Sequence, residues 1–182
     1  MSPVVGTVVA FAGGIGSGKT ALSRAVAKEL ACPWVSFGAY VRKVAADRAC
    51  GQDRRSLQLV GESLVHESWE KFCLGVLSQA DWRPGQDLIV DGVRHADGVR
   101  MLRSLVEPSK LRLIGISLDP ASRWARKGGV RHVDGKVNRS IEAHSTEAEV
   151  ESRVMPLADL VVDGSRPLDE LVREVVNWLA AQ

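Results

Sequence analysis

The sequence has few cysteines, no long apolar run and almost no net charge, and each shortage excludes a class of protein. Three cysteines, an odd number without C-x-x-C spacing, argue against a disulfide framework and predict buried free thiols in a reducing compartment. No apolar run approaches the roughly 20 residues of a membrane span, and no basic region precedes an apolar one near the N-terminus. A formal net charge of +2 is too small to indicate a nucleic-acid surface. We therefore expect a soluble, cytoplasmic protein that binds neither membrane nor nucleic acid.

Strand-like and helix-like patterns alternate along the 182 residues. Short runs rich in β-branched residues predict strands at 4–11, 33–37, 87–92, 111–118 and 159–162. Helical spacing of apolar residues predicts helices at 21–30, 39–49, 56–80, 96–106, from Pro120 onward, 146–154 and 168–179. The composition, 45% apolar and 25% charged, is ordinary for a globular chain of this length. We predict a single α/β domain over 1–182, with a mostly parallel five-stranded sheet flanked by helices.

A glycine-rich motif joins the first predicted strand to the first helix. Residues 13–20, Gly-Gly-Ile-Gly-Ser-Gly-Lys-Thr, match the phosphate-loop pattern G-x-x-x-x-G-K-[ST] in the strand–loop–helix context that it requires. Glycines let successive backbone N–H groups converge on phosphate oxygens, and the helix N-terminus adds its dipole. Lys19 is expected to reach the β- and γ-phosphates of a nucleoside triphosphate, and Thr20 to bind Mg²⁺. The predicted nucleotide-binding residues here are Gly13, Gly14, Ile15, Gly16, Ser17, Gly18, Lys19 and Thr20.

An acidic residue, Asp91, lies at the end of the third predicted strand. Ligands of parallel α/β sheets lie at the carboxyl ends of the strands, so Asp91 is expected near the phosphate loop. There it would hold Mg²⁺ through water or receive a proton from the substrate. The alternative is a purely structural role, in which Asp91 caps the helix that follows.

In this order, and over almost the whole chain, these segments resemble P-loop small-molecule kinases of the adenylate kinase and dephospho-coenzyme A kinase type. The loop at 13–20 is similar to that of dephospho-coenzyme A kinases. Residues 36–42, Ser-Phe-Gly-Ala-Tyr-Val-Arg, resemble the Ser-Thr-Gly-Asp-x-x-Arg stretch of adenylate kinases, and 91–94, Asp-Gly-Val-Arg, resemble their Asp-Gly-Phe-Pro-Arg. The resemblance implies that Arg42 and Arg94 hold the phosphate of an acceptor.

The same resemblance implies a lid and an adenine site, with ATP and Mg²⁺ as cofactors. Arg123, Arg126 and Arg131 are similar to lid arginines that close over the transferring phosphoryl group, with a short lid at about 127–140. The last strand and the loop after it resemble the segment that contacts the adenine of ATP, which places Gly164 in the nucleotide site.

Two residues depart from the adenylate kinase pattern and bear on the acceptor. Phe37 stands where those enzymes have a threonine near the acceptor, and Ala39 where they have an aspartate. We assign acceptor binding to the region at about 36–80 and to the segment at 91–94, with Phe37 and Asp91 among the contacts.

The leading interpretation is a kinase that transfers the γ-phosphoryl group of ATP to a nucleoside or deoxynucleoside monophosphate, working as a monomer or homodimer. Dephospho-coenzyme A is the alternative small-molecule acceptor. A nucleotide-driven switch is disfavoured because the chain lacks an Asn-Lys-x-Asp stretch for guanine and a second acidic residue directly after Asp91. A kinase-derived regulatory module that binds nucleotide without turnover also remains open.

Overall fold

A single sheet forms the centre of the computed structural model, which describes residues 6–126 and 148–182. Its five strands are all parallel and lie in the order β2-β3-β1-β4-β5. They are β1 (Thr7–Gly13), β2 (Trp34–Ser36), β3 (Leu88–Val93), β4 (Lys110–Ser117) and β5 (Leu160–Asp163). The predicted five-stranded α/β fold is confirmed, and every described strand pair is parallel.

Helices cover both faces of the sheet. They are α1 (Lys19–Glu29), α2 (Phe37–Asp47), α3 (Arg54–Glu67), α4 (Trp69–Leu77), α5 (Ala96–Leu105), α6 (Pro120–Arg126) and α7 (Leu168–Ala180). Side chains of β1 alternate between two cores: Val9 and Phe11 pack with α1 and α7, whereas Val8 and Ala10 pack with residues of α2 to α5. β1 is the central strand of the sheet and is buried on both faces. Its carboxyl end therefore lies at the middle of one sheet edge, where parallel α/β folds bind their ligands.

The prediction of a single helix at 56–80 is wrong, because the helix is interrupted at Ser68. This residue is extended, with φ −178° and ψ 123°, and its hydroxyl accepts a hydrogen bond from the backbone N–H of Lys71 at 3.2 Å. Ser68 thereby ends α3 and caps α4. The apolar stripe continues across the break, so periodicity alone did not reveal it. The cap residue itself was the available signal.

The second predicted strand is also shorter than expected at its carboxyl end. Ser36 caps α2 by accepting a hydrogen bond from the N–H of Ala39 at 3.3 Å, and Phe37 is the first helical residue. Gly38, the residue directly after the predicted strand, therefore lies in the first turn of α2.

Replacing Ser68 by alanine is expected to lower the free energy of unfolding by about 1 kcal/mol, because α4 would lose the acceptor for its N-terminal N–H. Urea denaturation of the wild type and the variant measures the difference. Ser78→Ala is the matched control, since the Ser78 hydroxyl only donates back to the carbonyl of Gly75 at the other end of α4. Equal effects of the two substitutions would show that the cap is energetically unimportant.

The three cysteines are free thiols in different environments. Cys73 is buried, Cys32 is half-buried and Cys50 is exposed, so the prediction that all three are buried is wrong for Cys50. Burial raises the pKa of the Cys73 thiol to about 12, and this thiol stays protonated at neutral pH. Among the described helices, none has both the length and the apolar character to cross a bilayer.

Candidate active site

The phosphate loop connects the carboxyl end of β1 to the N-terminus of α1, as the sequence predicts. Gly16 and Gly18 have φ values of 83° and 92°, a left-handed conformation that glycine adopts without strain. Gly18 is the residue before the first helical turn, and its carbonyl accepts the N–H of Leu22 at 3.0 Å. The first N–H groups of α1 therefore face the loop, which is the arrangement that binds anions at helix N-termini.

The side chains of the loop are arranged for an anionic ligand. Lys19 is only 8% exposed, and its ammonium group donates to the carbonyl of Gly14 at 3.4 Å, so its charge lies above the loop. The Ser17 hydroxyl is buried and has no hydrogen-bond partner among the described residues. A phosphate oxygen would satisfy such a hydroxyl, so these residues fit the triphosphate of a nucleotide.

Asp91 lies beside the loop at the end of β3, where it was predicted. Its Oδ2 accepts a hydrogen bond from the Thr20 hydroxyl at 2.8 Å. The residue is 4% exposed, and no described group is hydrogen-bonded to its Oδ1. Because burying an unsatisfied carboxylate oxygen is costly, this atom fits a cation or a proton donor supplied by a ligand. The capping alternative is not observed, because the N–H of Ala96 at the start of α5 donates instead to Glu149.

Two of the predicted lid arginines cross the phosphate loop. Arg126 donates to the carbonyls of Gly164 at 2.6 Å and Ser17 at 3.5 Å, which ties the loop after β5 to the phosphate loop. Arg123 packs against Gly14, where a Cβ would meet its guanidinium, and it pairs with Glu151 at 3.5 Å.

The remaining predicted donor-site residues have two outcomes. Gly164 lies beside the phosphate loop, since a Cβ there would come within 3.0 Å of the Ser17 carbonyl oxygen, and its contact with adenine stays a prediction. Arg131 and the predicted lid at 127–140 lie outside the described residues, so the lid stays a prediction.

A cavity of about 630 Å³ opens from the phosphate loop toward α2 and α3. Its lining includes Lys19 and Thr20 of the loop. The four residues predicted to contact the acceptor, Phe37, Arg42, Asp91 and Arg94, all line it. The structure thus brings the phosphate loop and predicted acceptor residues from positions 37 to 94 into one space.

Comparison with known proteins agrees with this geometry. A family profile described as an AAA domain matches residues 9–148, which is most of the chain. The chain belongs to this AAA domain family. No curated protein matches the sequence.

Solved structures show the fold that this AAA domain shares. A gluconokinase from Sinorhizobium meliloti is 18% identical with a TM-score of 0.62, covering 98% of this chain and 93% of that one. Shikimate kinase from Aquifex aeolicus is 17% identical with a TM-score of 0.61, covering 95% and 96%. The APS kinase of Mycobacterium tuberculosis, solved with AMPPNP and APS, is 18% identical with a TM-score of 0.57, covering 98% and 99%. The AAA domain therefore has the fold of P-loop kinases, whereas the narrower resemblance to adenylate kinases stays a prediction.

An aromatic wall closes one side of the cavity in this AAA domain. Phe37 meets Phe72 edge to face, with ring centroids 5.1 Å apart, and Trp69 stacks on Phe72 at 6.0 Å. Trp69 and Phe72 lie on the apolar stripe of the helix predicted at 56–80, and such a position favours a core role. Phe72 does belong to the core, but both side chains also line the cavity. A helical stripe cannot show which of its members borders an empty space, so this surface was missed.

Another lining residue, His95, was assigned no role from the sequence. Its Nδ1 lies 2.8 Å from Oε2 of Glu149, and its ring contacts Trp69 at a centroid distance of 5.2 Å. The other carboxylate oxygen of Glu149 accepts the N–H of Ala96 at 3.1 Å. The two partners are 54 positions apart, and no local pattern in the sequence indicates the contact.

Proposed function

We propose that this protein is an ATP-dependent small-molecule kinase that transfers the γ-phosphoryl group to a nucleotide-like acceptor, first of all a nucleoside or deoxynucleoside monophosphate. The observation that carries the proposal is that one cavity is lined both by the phosphate loop and by Arg42 and Arg94. A nucleotide-driven switch needs a phosphate loop but no second compartment lined by arginines. Phosphoryl transfer needs both, because the protein acts mainly by positioning two anionic reactants and stabilising their charge.

On the donor side, the loop amides and Lys19 would bind the triphosphate of ATP, which supplies the phosphoryl group. Mg²⁺ would be held by the Thr20 hydroxyl and, through water, by Asp91, and it would neutralise charge on the phosphates. The described residues contain no group of three or more His, Cys, Asp or Glu side chains placed to hold a metal ion by themselves. This agrees with Mg²⁺, which is often held by one or two carboxylates together with phosphate oxygens and water.

On the acceptor side, Arg42 and Arg94 would hold the phosphate, because a planar guanidinium matches a phosphate bidentately. The aromatic wall begins at Phe37 and offers flat apolar surface to a base or similar ring. On the α3 side of the cavity, Gln58 donates to Glu62 at 3.1 Å, which gives this part of the lining a polar character. A ring with hydrogen-bonding edges suits this combination better than a small sugar does.

The arginines at the phosphate loop would complete the site. Arg123 and Arg126 already contact the loop, where their charge would stabilise the transferring group. Arg131 would arrive with the predicted lid, which would exclude water and limit hydrolysis of ATP.

Dephospho-coenzyme A is the second candidate acceptor, and one observation favours it. The Oδ1 atom of buried Asp91 has no described partner, and the residue lines the cavity. An acceptor that reacts through a hydroxyl must lose a proton, and Asp91 would receive it. A monophosphate acceptor attacks through an oxygen that is already ionised and needs no base.

An acceptor panel tests the proposal. The protein is incubated with Mg-ATP and separately with ribo- and deoxyribonucleoside monophosphates, dephospho-coenzyme A, gluconate, shikimate or no acceptor, and ADP is followed. We expect ADP formation that depends on a nucleotide-like acceptor. ADP formed equally without acceptor would indicate a switch, whereas ATP binding without turnover would indicate a regulatory module.

Removing the guanidinium of Arg94 should raise the KM of the acceptor by about 10- to 100-fold while kcat changes much less, because the lost contact holds the acceptor in the ground and transition states alike. Initial rates of Arg94→Ala at varied acceptor concentration measure both constants. Arg100→Ala is the control, since Arg100 lies in the next helix and pairs with Asp97 at 2.6 Å on the exposed face. Unchanged kcat and KM in Arg94→Ala would show that the acceptor phosphate binds elsewhere.

A further inference from the structure

A third arginine of the cavity, Arg24, was not predicted to act there. It lies on α1, one helical turn beyond Thr20, and both residues line the cavity. The guanidinium of Arg24 lies over the ring of Trp34 with its carbon 4.1 Å from the centroid. The indole is itself fixed, because its N–H donates to the hydroxyl of Ser23 at 3.0 Å, and Ser23 is fully buried. The stack restrains an otherwise flexible side chain at the wall of the cavity.

Basic side chains outnumber acidic ones along the described lining of the cavity. Five basic side chains and two acidic ones line the cavity: Lys19, Arg24, Arg42, Arg54 and Arg94 against Glu62 and Asp91. Within residues 6–126 and 148–182, Arg24, Arg42 and Arg54 have no carboxylate within ion-pair distance. Several arginines elsewhere in the described chain do have one, in the pairs Arg48–Glu67, Arg100–Asp97, Arg103–Asp159 and Arg166–Glu170.

One phosphate on the acceptor does not account for this excess. Arg42 and Arg94 already suffice to hold a single phosphate. Arg24 follows Thr20 by four residues, so its Cα atom lies about 6 Å further along the axis of α1, away from the phosphate loop. An anionic group that reaches Arg24 is therefore separate from the one that reacts beside Thr20.

We propose that the acceptor carries a second anionic group, which binds to the guanidinium of Arg24 stacked on Trp34. This inference rests on the proposed function, and it favours a nucleotide with two anionic groups as the acceptor over a simple nucleoside monophosphate. A nucleoside 3′,5′-bisphosphate and a nucleotide with a 5′-diphosphate ester, such as dephospho-coenzyme A, share this chemistry. The two differ in where the second charge lies, so the experiment includes both.

The test is a thermodynamic cycle that combines a substitution at Arg24 with a change of ligand. Binding is measured by calorimetry with AMPPNP and Mg²⁺ in the donor site. The ligands are a nucleoside 5′-monophosphate, the 3′,5′-bisphosphate of the same nucleoside and dephospho-coenzyme A. The nucleoside in these ligands is adenosine. The monophosphate and the bisphosphate are also measured for guanosine, cytidine and thymidine, so that the result does not depend on the base. The variants are Arg24→Gln, Arg24→Lys and the control Lys28→Gln, which removes one exposed positive charge from the same helix outside the cavity.

We expect at least one ligand with two anionic groups to bind wild type about tenfold more tightly than the monophosphate, as one charge-assisted contact allows. Arg24→Gln should remove most of this advantage and leave monophosphate binding unchanged, Arg24→Lys should keep part of it, and Lys28→Gln should keep all of it. Of the two ligands with a second anionic group, the one that binds more tightly identifies the position of that group.

Three results would overturn the inference: no gain from a second charge, equal weakening of both ligands by Arg24→Gln, or no binding of any ligand. The acceptor panel separates this failure from failure of the proposed function. Turnover of monophosphates without a gain from the second charge would leave the kinase standing and remove the Arg24 site. Binding through Arg24 without turnover of any compound would leave the Arg24 site standing and remove the kinase.

Discussion

Replacing Lys19 by alanine is expected to lower kcat by about 10³-fold, because phosphoryl transfer depends on positive charge placed at the phosphates. The ammonium group lies within the phosphate loop, 3.4 Å from the carbonyl of Gly14, and the side chain is only 8% exposed. Water is largely excluded from this position, so solvent cannot replace the lost charge. The acceptor contacts are on other elements and remain in place.

Steady-state rates with saturating acceptor measure this loss, and Lys28→Ala is the matched control on the same helix. Thermal unfolding of both variants shows whether the fold is retained, since Lys19 is buried. A folded Lys19→Ala protein that keeps more than a tenth of the wild-type kcat would contradict the assignment of the loop to the transferring phosphates. The affinity for the acceptor should stay within about threefold, because no acceptor contact is removed.

The parts of this site that the sequence predicts are those encoded over short distances. The phosphate loop at 13–20 is recognisable because its pattern, the strand before it and the helix after it are contiguous. Asp91 could be placed near the loop because parallel strands end at one edge of the sheet, a rule that needs no knowledge of side-chain contacts. Arg42 and Arg94 followed from resemblance and both line the cavity, whereas their contact with an acceptor phosphate stays a prediction.

The parts that the sequence did not reveal depend on contacts between distant segments. Arg24 becomes notable only when Trp34, ten residues later, is seen beneath it. Glu149 meets His95 across 54 positions. Trp69 occupies an apolar stripe that fits a buried helix equally well, and only the neighbouring cavity shows its second role. Recognition residues of this kind come from helix packing, whereas the loop chemistry comes from the local chain.

Replacing Asp91 by asparagine is expected to lower kcat by about 10²-fold, a typical loss when one electrostatic contact at a reacting centre is removed. Asparagine keeps an oxygen that can accept the hydrogen bond from Thr20, 2.8 Å from Oδ2 in the wild type, so the local structure is retained. It removes the negative charge, and with it the ability to hold a cation or take up a proton. Asp97→Asn is the control, because Asp97 is exposed on α5 and pairs only with Arg100 among the described residues.

The conditions under which Asp91→Asn loses activity separate the two roles of the carboxylate. A role in holding Mg²⁺ through water predicts that the variant needs a higher Mg²⁺ concentration and recovers part of its rate when that concentration is raised. A role as proton acceptor predicts an unchanged Mg²⁺ requirement and a loss confined to acceptors that react through a hydroxyl. For a monophosphate acceptor we expect the first pattern. If both Mg²⁺ requirement and rate stayed at wild-type values, the unpaired Oδ1 of this buried residue would have no part in the reaction.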